Sequence, residues 1–314
     1  LPCKELACMY STVDRRGFLK QSALGLSAAW ATSLVPPQVA SAIEPISRTG
    51  QPKFKFSLAA YSYRKLLTGK KPELTLDDFV RDCARMHLDG TELTSYYFPS
   101  EPSEEFLTSL KGLCFKLGLD VSGTAVGNDF CHPDSDVRAK QIADVKQWVD
   151  YAAIMDAPVI RIFSGSARSP QTTAEAHRLA VEAIEECCEY SGQRGVFLAL
   201  ENHGGLTTTV EGLMQLVRDV QSPWFGVNLD TGNFHSQDVY GDLSQLAPYA
   251  LNVQVKVVIK PEGGSKQPTA FNRLAAILRE SGYRGYIVLE YEESEDPRVA
   301  CPRYVDELRD AFLS

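Results

Sequence analysis

Residues 196–235 constrain the fold more than any other stretch of the chain. Two nearly continuous apolar, β-rich runs begin at Val196 and Phe225. The first ends abruptly in Glu201-Asn202-His203, the second in Asp230-Thr231-Gly232-Asn233. A strand that is apolar along its length is buried on both faces, as in a parallel sheet covered by helices. Polar residues at the C-terminal end of such a strand lie on a rigid rim, where parallel α/β folds place their chemistry.

The same unit recurs. Strand-like runs at 54–62, 90–94, 119–126, 158–164, 196–201, 225–230, 252–259 and 286–290 alternate with helix-patterned intervals. They stand roughly 25 to 40 residues apart, the spacing of repeated βα units. Thr75 followed by Asp77 and Asp78, and Ser103 followed by Glu104 and Glu105, open helices with a cap and early acids, and Gly90 and Gly118 close them. Helices are expected at 137–155, 173–191, 210–220, 271–280 and 304–312. Eight units predict a closed (β/α)8 TIM barrel over residues 54–314, preceded by a polar, Pro-containing linker at 43–53.

Residues 1–42 read as an address. Arg15-Arg16, a short run of apolar and small residues, and Ala40-Ser41-Ala42 form the pattern of a twin-arginine export signal. Met9 places residues 1–8 ahead of the expected start. This predicts a periplasmic or secreted protein whose partner is the twin-arginine translocation machinery. It would be membrane-anchored only if the signal stays uncleaved, because the run is too short for a stable transmembrane span.

Net charge of −8 and pI near 5.3 argue against nucleic acid as a partner. The eight cysteines lack any C-x-x-C spacing, and several fall in apolar helical patterns, so most read as small core hydrophobes.

Polar residues at the strand ends are Tyr61, Glu92, Arg161, Glu201, Asn202, His203, Asp230, Asn233, His235, Gln254, Lys256 and Glu290. In a barrel they converge on one mouth. Glu201, Asp230, Gln254 and Glu290 come from four consecutive strands. Three carboxylates so close repel one another unless they are protonated or bridged by a cation. Oxygen ligands favour a hard divalent ion, Mn²⁺ or Mg²⁺ before Co²⁺ or Zn²⁺. Lys256 shares the inward face of Gln254 by the two-residue strand period, so it either serves an oxyanion or pairs with a glutamate. Arg161 and Glu92 are candidates to pair with each other inside the barrel. Tyr61, Tyr96, Tyr97 and Phe98 offer aromatic surface beside the mouth.

The order of ALEN (199–202), LDTGN (229–233), VQVK (253–256) and VLE (288–290) resembles the sugar phosphate isomerase/epimerase superfamily, barrels similar to xylose isomerase. GNDF (127–130), HPD (132–134) and VIRIFSG (159–165) resemble its secreted, twin-arginine members. The resemblance implies that Glu201 and Glu290 are both metal ligands and the acid/base pair, with Asp230 a third ligand. A histidine of the family's seventh strand falls on Gln254. The family's substrate-contacting histidine falls on Asn233, with His235 two residues on. His203, Asn233, His235, Lys256, Arg161, Glu92 and Tyr61 are then the expected substrate contacts. The implied reaction is isomerisation or epimerisation of a carbohydrate by glutamate-mediated proton transfer through an enediolate, assisted by a divalent metal. A lyase or hydratase acting on a 3-keto sugar shares its first step, and a non-catalytic sugar-binding barrel is the reading from another class. An apurinic endonuclease is disfavoured, because its zinc cluster needs many histidines and this chain has five.

Overall fold

The computed structural model describes residues 43–314; the expected export signal at 1–42 lies outside the described residues. Residues 43–52 carry no regular element. The Ile46 amide donates to the Pro248 carbonyl at 2.9 Å, and the Arg48 guanidinium donates to the Pro248 and Ala250 carbonyls.

Seven strands follow: β1 (Lys53–Ala59), β2 (Gly90–Thr94), β3 (Asp120–Ala125), β4 (Val159–Ile162), β5 (Phe197–Glu201), β6 (Phe225–Asp230) and β7 (Ala250–Val255). A short antiparallel pair, β8 (Val258–Ile259) with β9 (Gln267–Pro268), precedes β10 (Arg284–Leu289). Strands β1 to β7 and β10 close an eight-stranded barrel in chain order, every neighbouring pair parallel. The helices ring it, which makes the architecture a (β/α)8 barrel.

Short polar residues set the helix starts by accepting the free amides of the first turn. Thr75 and Asp78 form a reciprocal capping box for Leu76–Arg85. Ser103, Asp134, Thr172, Thr209, Asp238 and Asp296 each accept a first-turn amide of the helix they precede. Such caps contribute about 1 kcal/mol apiece. They also fix where each strand-to-helix loop ends, and so the shape of the mouth.

Three boundaries differ from expectation. The seventh strand ends at Val255 instead of 259, because the chain leaves the barrel at Lys256 and Val258–Ile259 pairs with β9. Val239–Leu246 is helical, a short element whose Gly241 obscures its period. The closing helix starts at Pro297, well before 304.

The apolar core lies between barrel and helices, with Leu93, Ile160, Leu198, Val227 and Val253 facing outward from the strands into it. The six cysteines among the described residues are buried and unpaired with one another, as core hydrophobes. Among the described residues no helix is long and apolar enough to cross a membrane.

Candidate active site

The C-terminal ends of β4, β5, β6, β7 and β10 bring Arg161, Glu201, Asp230, Lys256 and Glu290 together, every side chain at most 11% exposed. Glu201 and Glu290 stand three strands apart around the ring and so approach the mouth from different directions. Glu201 Oε2 lies 2.9 Å from Arg161 Nε, off the line of the N–H, an ionic contact more than a directed hydrogen bond. The other oxygen of Glu201 accepts from Asn233 Nδ2 at 2.8 Å. Glu290 Oε2 accepts from Lys256 Nζ at 2.6 Å. The same ammonium reaches Glu292 Oε1 at 2.9 Å and Asp230 Oδ2 at 3.2 Å. The Asp230 contact lacks hydrogen-bond geometry, which leaves Oδ2 without a hydrogen-bond partner.

Backbone clamps hold these groups in place. The Asn202 side chain donates to the Asp230 carbonyl at 2.8 Å and accepts the Asp230 amide at 2.9 Å, pinning the end of β6. Asn128 does the same for Phe163 just beyond β4, at 2.7 and 2.8 Å. Asp230 Oδ1 accepts the Gly232 amide at 2.8 Å, and Thr231 Oγ1 accepts the Lys256 amide at 3.0 Å. The Lys256 stem crosses Gly232 so closely that a β-carbon there would lie 2.9 Å from its Cβ and Cδ.

One layer deeper, four side chains close a ring. Glu92 accepts from Gln254 Nε2 at 2.6 Å and from Asn252 Nδ2 at 2.9 Å. Asn228 donates to Gln254 Oε1 at 2.6 Å and accepts from Asn252 at 2.9 Å. Two expectations change here. Gln254 faces inward as the strand period required, but its amide belongs to this ring and not to the rim. Glu92 and Arg161 do not pair with each other, because Glu92 sits in the deeper layer while Arg161 turns up to Glu201. Asn228 and Asn252, which close the ring, were legible only as polar residues on the inward phase of β6 and β7.

Burial and charge pull the carboxylates apart. Burial raises Glu201 well above the usual carboxylate range, against the pull of Arg161 and with help from Asp230 and Glu290. Burial would raise Glu290 too, but Lys256 and Arg161 outweigh it and hold Glu290 below its ordinary value. Burial lifts Asp230 to about 7, opposed by Lys256. Burial also lifts Glu92 to about 7, with repulsion from Glu290 added. Burial would discharge Lys256, yet Asp230, Glu290 and Glu292 hold it firmly protonated.

The remaining candidates divide. His203 is half-buried, its ring 4.4 Å from that of Phe163, and burial with Arg161 and Lys256 nearby keeps it neutral. It lines a cavity of about 280 Å³ with Asn128, Phe163, Ser164 and Thr207. Tyr61 lies edge-on to Tyr96, with the Arg64 guanidinium over its ring. His235 is exposed and meets the Lys260 carbonyl at 3.0 Å, turned to the outer loop instead of the carboxylates.

A family model described as the xylose isomerase-like TIM barrel matches residues 80–310. The chain belongs to this family. Solved structures similar to this xylose isomerase-like barrel include D-psicose 3-epimerase from Clostridium cellulolyticum H10, at TM-score 0.70 and 15% identity over 82% of this chain and 99% of that one. 3-Keto-D-glucoside 4-epimerase from E. coli aligns at TM-score 0.65 and 16% identity, over 82% and 100%. An L-ribulose 3-epimerase aligns at 0.68 and 14%, over 82% and 94%. At these identities the likeness is one of fold. No curated protein matches the chain by sequence.

Each of the four side chains expected to hold a divalent ion has a protein partner here. Glu201 turns to Arg161 and Asn233, Gln254 to the ring below, and Asp230 and Glu290 to the ammonium of Lys256. Among the described residues no three His, Cys, Asp or Glu side chains are grouped to hold a metal ion. The free lone pair on Asp230 Oδ2 is a single donor beside a fixed cation, where a second cation would be repelled.

Proposed function

We propose that this barrel is a carbohydrate isomerase or epimerase in which Glu290 removes a proton from a carbon beside a carbonyl and Glu201 returns one. The observation that carries the reading is the geometry of two buried glutamates held in different company, Glu290 on the ammonium of Lys256 at 2.6 Å and Glu201 on Asn233 at 2.8 Å beside Arg161. In keeping with it, Lys256 holds Glu290 below its ordinary value, which suits a base, and burial raises Glu201, which suits an acid. Environments that drive two acids apart in this way assign the base and the acid. Approaching from strands three places apart, they suit a planar enediolate presented between them. Negative charge then grows on the former carbonyl oxygen, and Lys256 and Arg161 supply the positive field at the mouth. Asp230 Oδ2 and the neutral His203 are free to accept or share sugar hydroxyl protons. Three solved relatives bear the names of sugar epimerases, one of them acting on a keto-glucoside, which supports a keto or aldo sugar as substrate. Asn233, where the family pattern suggested a histidine, orients Glu201, and this supports a working site over a bare sugar-binding barrel.

The test is a panel of keto and aldo sugars followed by NMR in deuterium oxide. Deuterium entering at the carbon that gains the proton is the expected outcome. Release of water or an aglycone would instead establish the lyase. Glu201→Gln should slow exchange about 10²- to 10⁴-fold, the range for losing a general acid. An unchanged rate would remove Glu201 from the mechanism.

A further inference from the structure

The mouth holds its own cation. Three carboxylates on one rim need positive charge, and the sequence pattern suggested a divalent ion. The fold instead delivers a protein ammonium. Lys256 Nζ touches Glu290 at 2.6 Å, Glu292 at 2.9 Å and Asp230 at 3.2 Å, and Glu290 and Asp230 are the acids a bridging ion would need first after Glu201. Its position is built, not incidental. The backbone amide of Lys256 is held by Thr231, its carbonyl accepts from Thr269 Oγ1 at 2.7 Å, and the missing side chain at Gly232 leaves room for the stem. Arg161 does the equivalent for Glu201, with its own guanidinium donating to the Val126 carbonyl at 2.7 Å and lying 4.0 Å from the centre of the Phe163 ring.

We propose that Lys256 takes the divalent cation's place in this barrel, so that the mouth excludes a metal ion and the ammonium itself serves as the electrophile facing the substrate's carbonyl oxygen. The exclusion stands on the geometry alone; the electrophilic role rests on the reading of the protein as a sugar isomerase or epimerase. An ion bridging Asp230 and Glu290 would have to displace Nζ, and with it the partner of Glu292. A side-chain ammonium is a point charge with three donors, able to keep Glu290 ionised while pointing a proton at an adjacent oxygen.

The experiment measures Mn²⁺ binding to the chelator-treated protein by calorimetry and electron paramagnetic resonance, without substrate. Wild type should bind no tighter than about 1 mM, the range of loose oxygen sites. Lys256→Met keeps the stem and removes the charge; it should bind Mn²⁺ at least about tenfold tighter than wild type and be thermally stabilised by it, since like-charge repulsion is gone. Lys256→Arg should stay as indifferent to Mn²⁺ as wild type. Wild-type binding of one Mn²⁺ per chain at micromolar concentration, lost in Asp230→Asn, would overturn the proposal even if Lys256→Met fails to fold. So would a folded Lys256→Met that gains no affinity. A wild type that ignores Mn²⁺ and also leaves every sugar unchanged would sink the isomerase reading and leave the exclusion standing.

Discussion

At the mouth, Lys256 meets Glu290 at 2.6 Å with 11% and 7% of the two side chains exposed. At the opposite end of the barrel, Lys55 meets Asp120 with 35% and 62% exposed, and Tyr286 donates to the same carboxylate. The residue types match but the physics does not. The outer pair is screened by water and stabilises by at most about 1 kcal/mol. The inner pair has lost its hydration, so removing one member strands the other in a dry site and costs about 3 to 5 kcal/mol. A fold keeps such a pair where charge is needed for chemistry. Volume does not mark the place: a cavity of about 680 Å³ opens beside Lys55, Asp120 and the exposed Phe115, more than twice the one beside His203.

The sharpest way to break this contrast is Glu290→Gln. Losing the proposed base should cut turnover about 10²- to 10⁴-fold, measured by exchange in deuterium oxide. If turnover survives, the buried pair is structural like its counterpart. Asn202→Ala comes next. It removes both bonds that pin Asp230, and should lower stability by about 1 to 3 kcal/mol in urea unfolding, with a measurable loss of rate. The smallest effect belongs to the far end. Hydrogen bonds from Lys55 and Tyr286 hold Asp120 below the usual carboxylate range, outweighing partial burial. Its contribution is therefore full above about pH 4, the unfolded value, and is lost as pH falls through the lower native value. Asp120→Asn should cost no more than about 1 kcal/mol at pH 7. The two proteins' stabilities should converge on acidification, with turnover unchanged. A large loss of activity in Asp120→Asn would erase the distinction between the ends.

The barrel was legible because each strand's apolar run stops at a polar residue, a signal carried by single short segments. The mouth was legible for the same reason, down to Arg161, Glu201, Asp230, Lys256 and Glu290. Partnership was not. Whether Arg161 faces Glu92 or Glu201 depends on barrel register, which sets the layer each inward side chain occupies. The ring of Glu92, Asn228, Asn252 and Gln254 joins three strands, with Asn252 and Gln254 160 and 162 residues from Glu92 along the chain, and no local pattern encodes it. His235 looked equivalent to its neighbours in the DTGNFH stretch, yet the chain has already turned outward by that point. The short helix at Val239–Leu246 and the β8–β9 pair are too brief to show a period at all.

The crossing of Lys256 over Gly232 bears on the order in which such a chain can change over generations. While the lysine is present, a methyl group at position 232 collides with its stem. Shortening position 256 removes the contacts with Cγ and Cδ but leaves its β-carbon 2.9 Å from the same methyl group. The two sites are thus bound by history: as long as position 256 carries any side chain at all, glycine at 232 is the residue a lineage keeps, and the lysine can be traded for another side chain without releasing it.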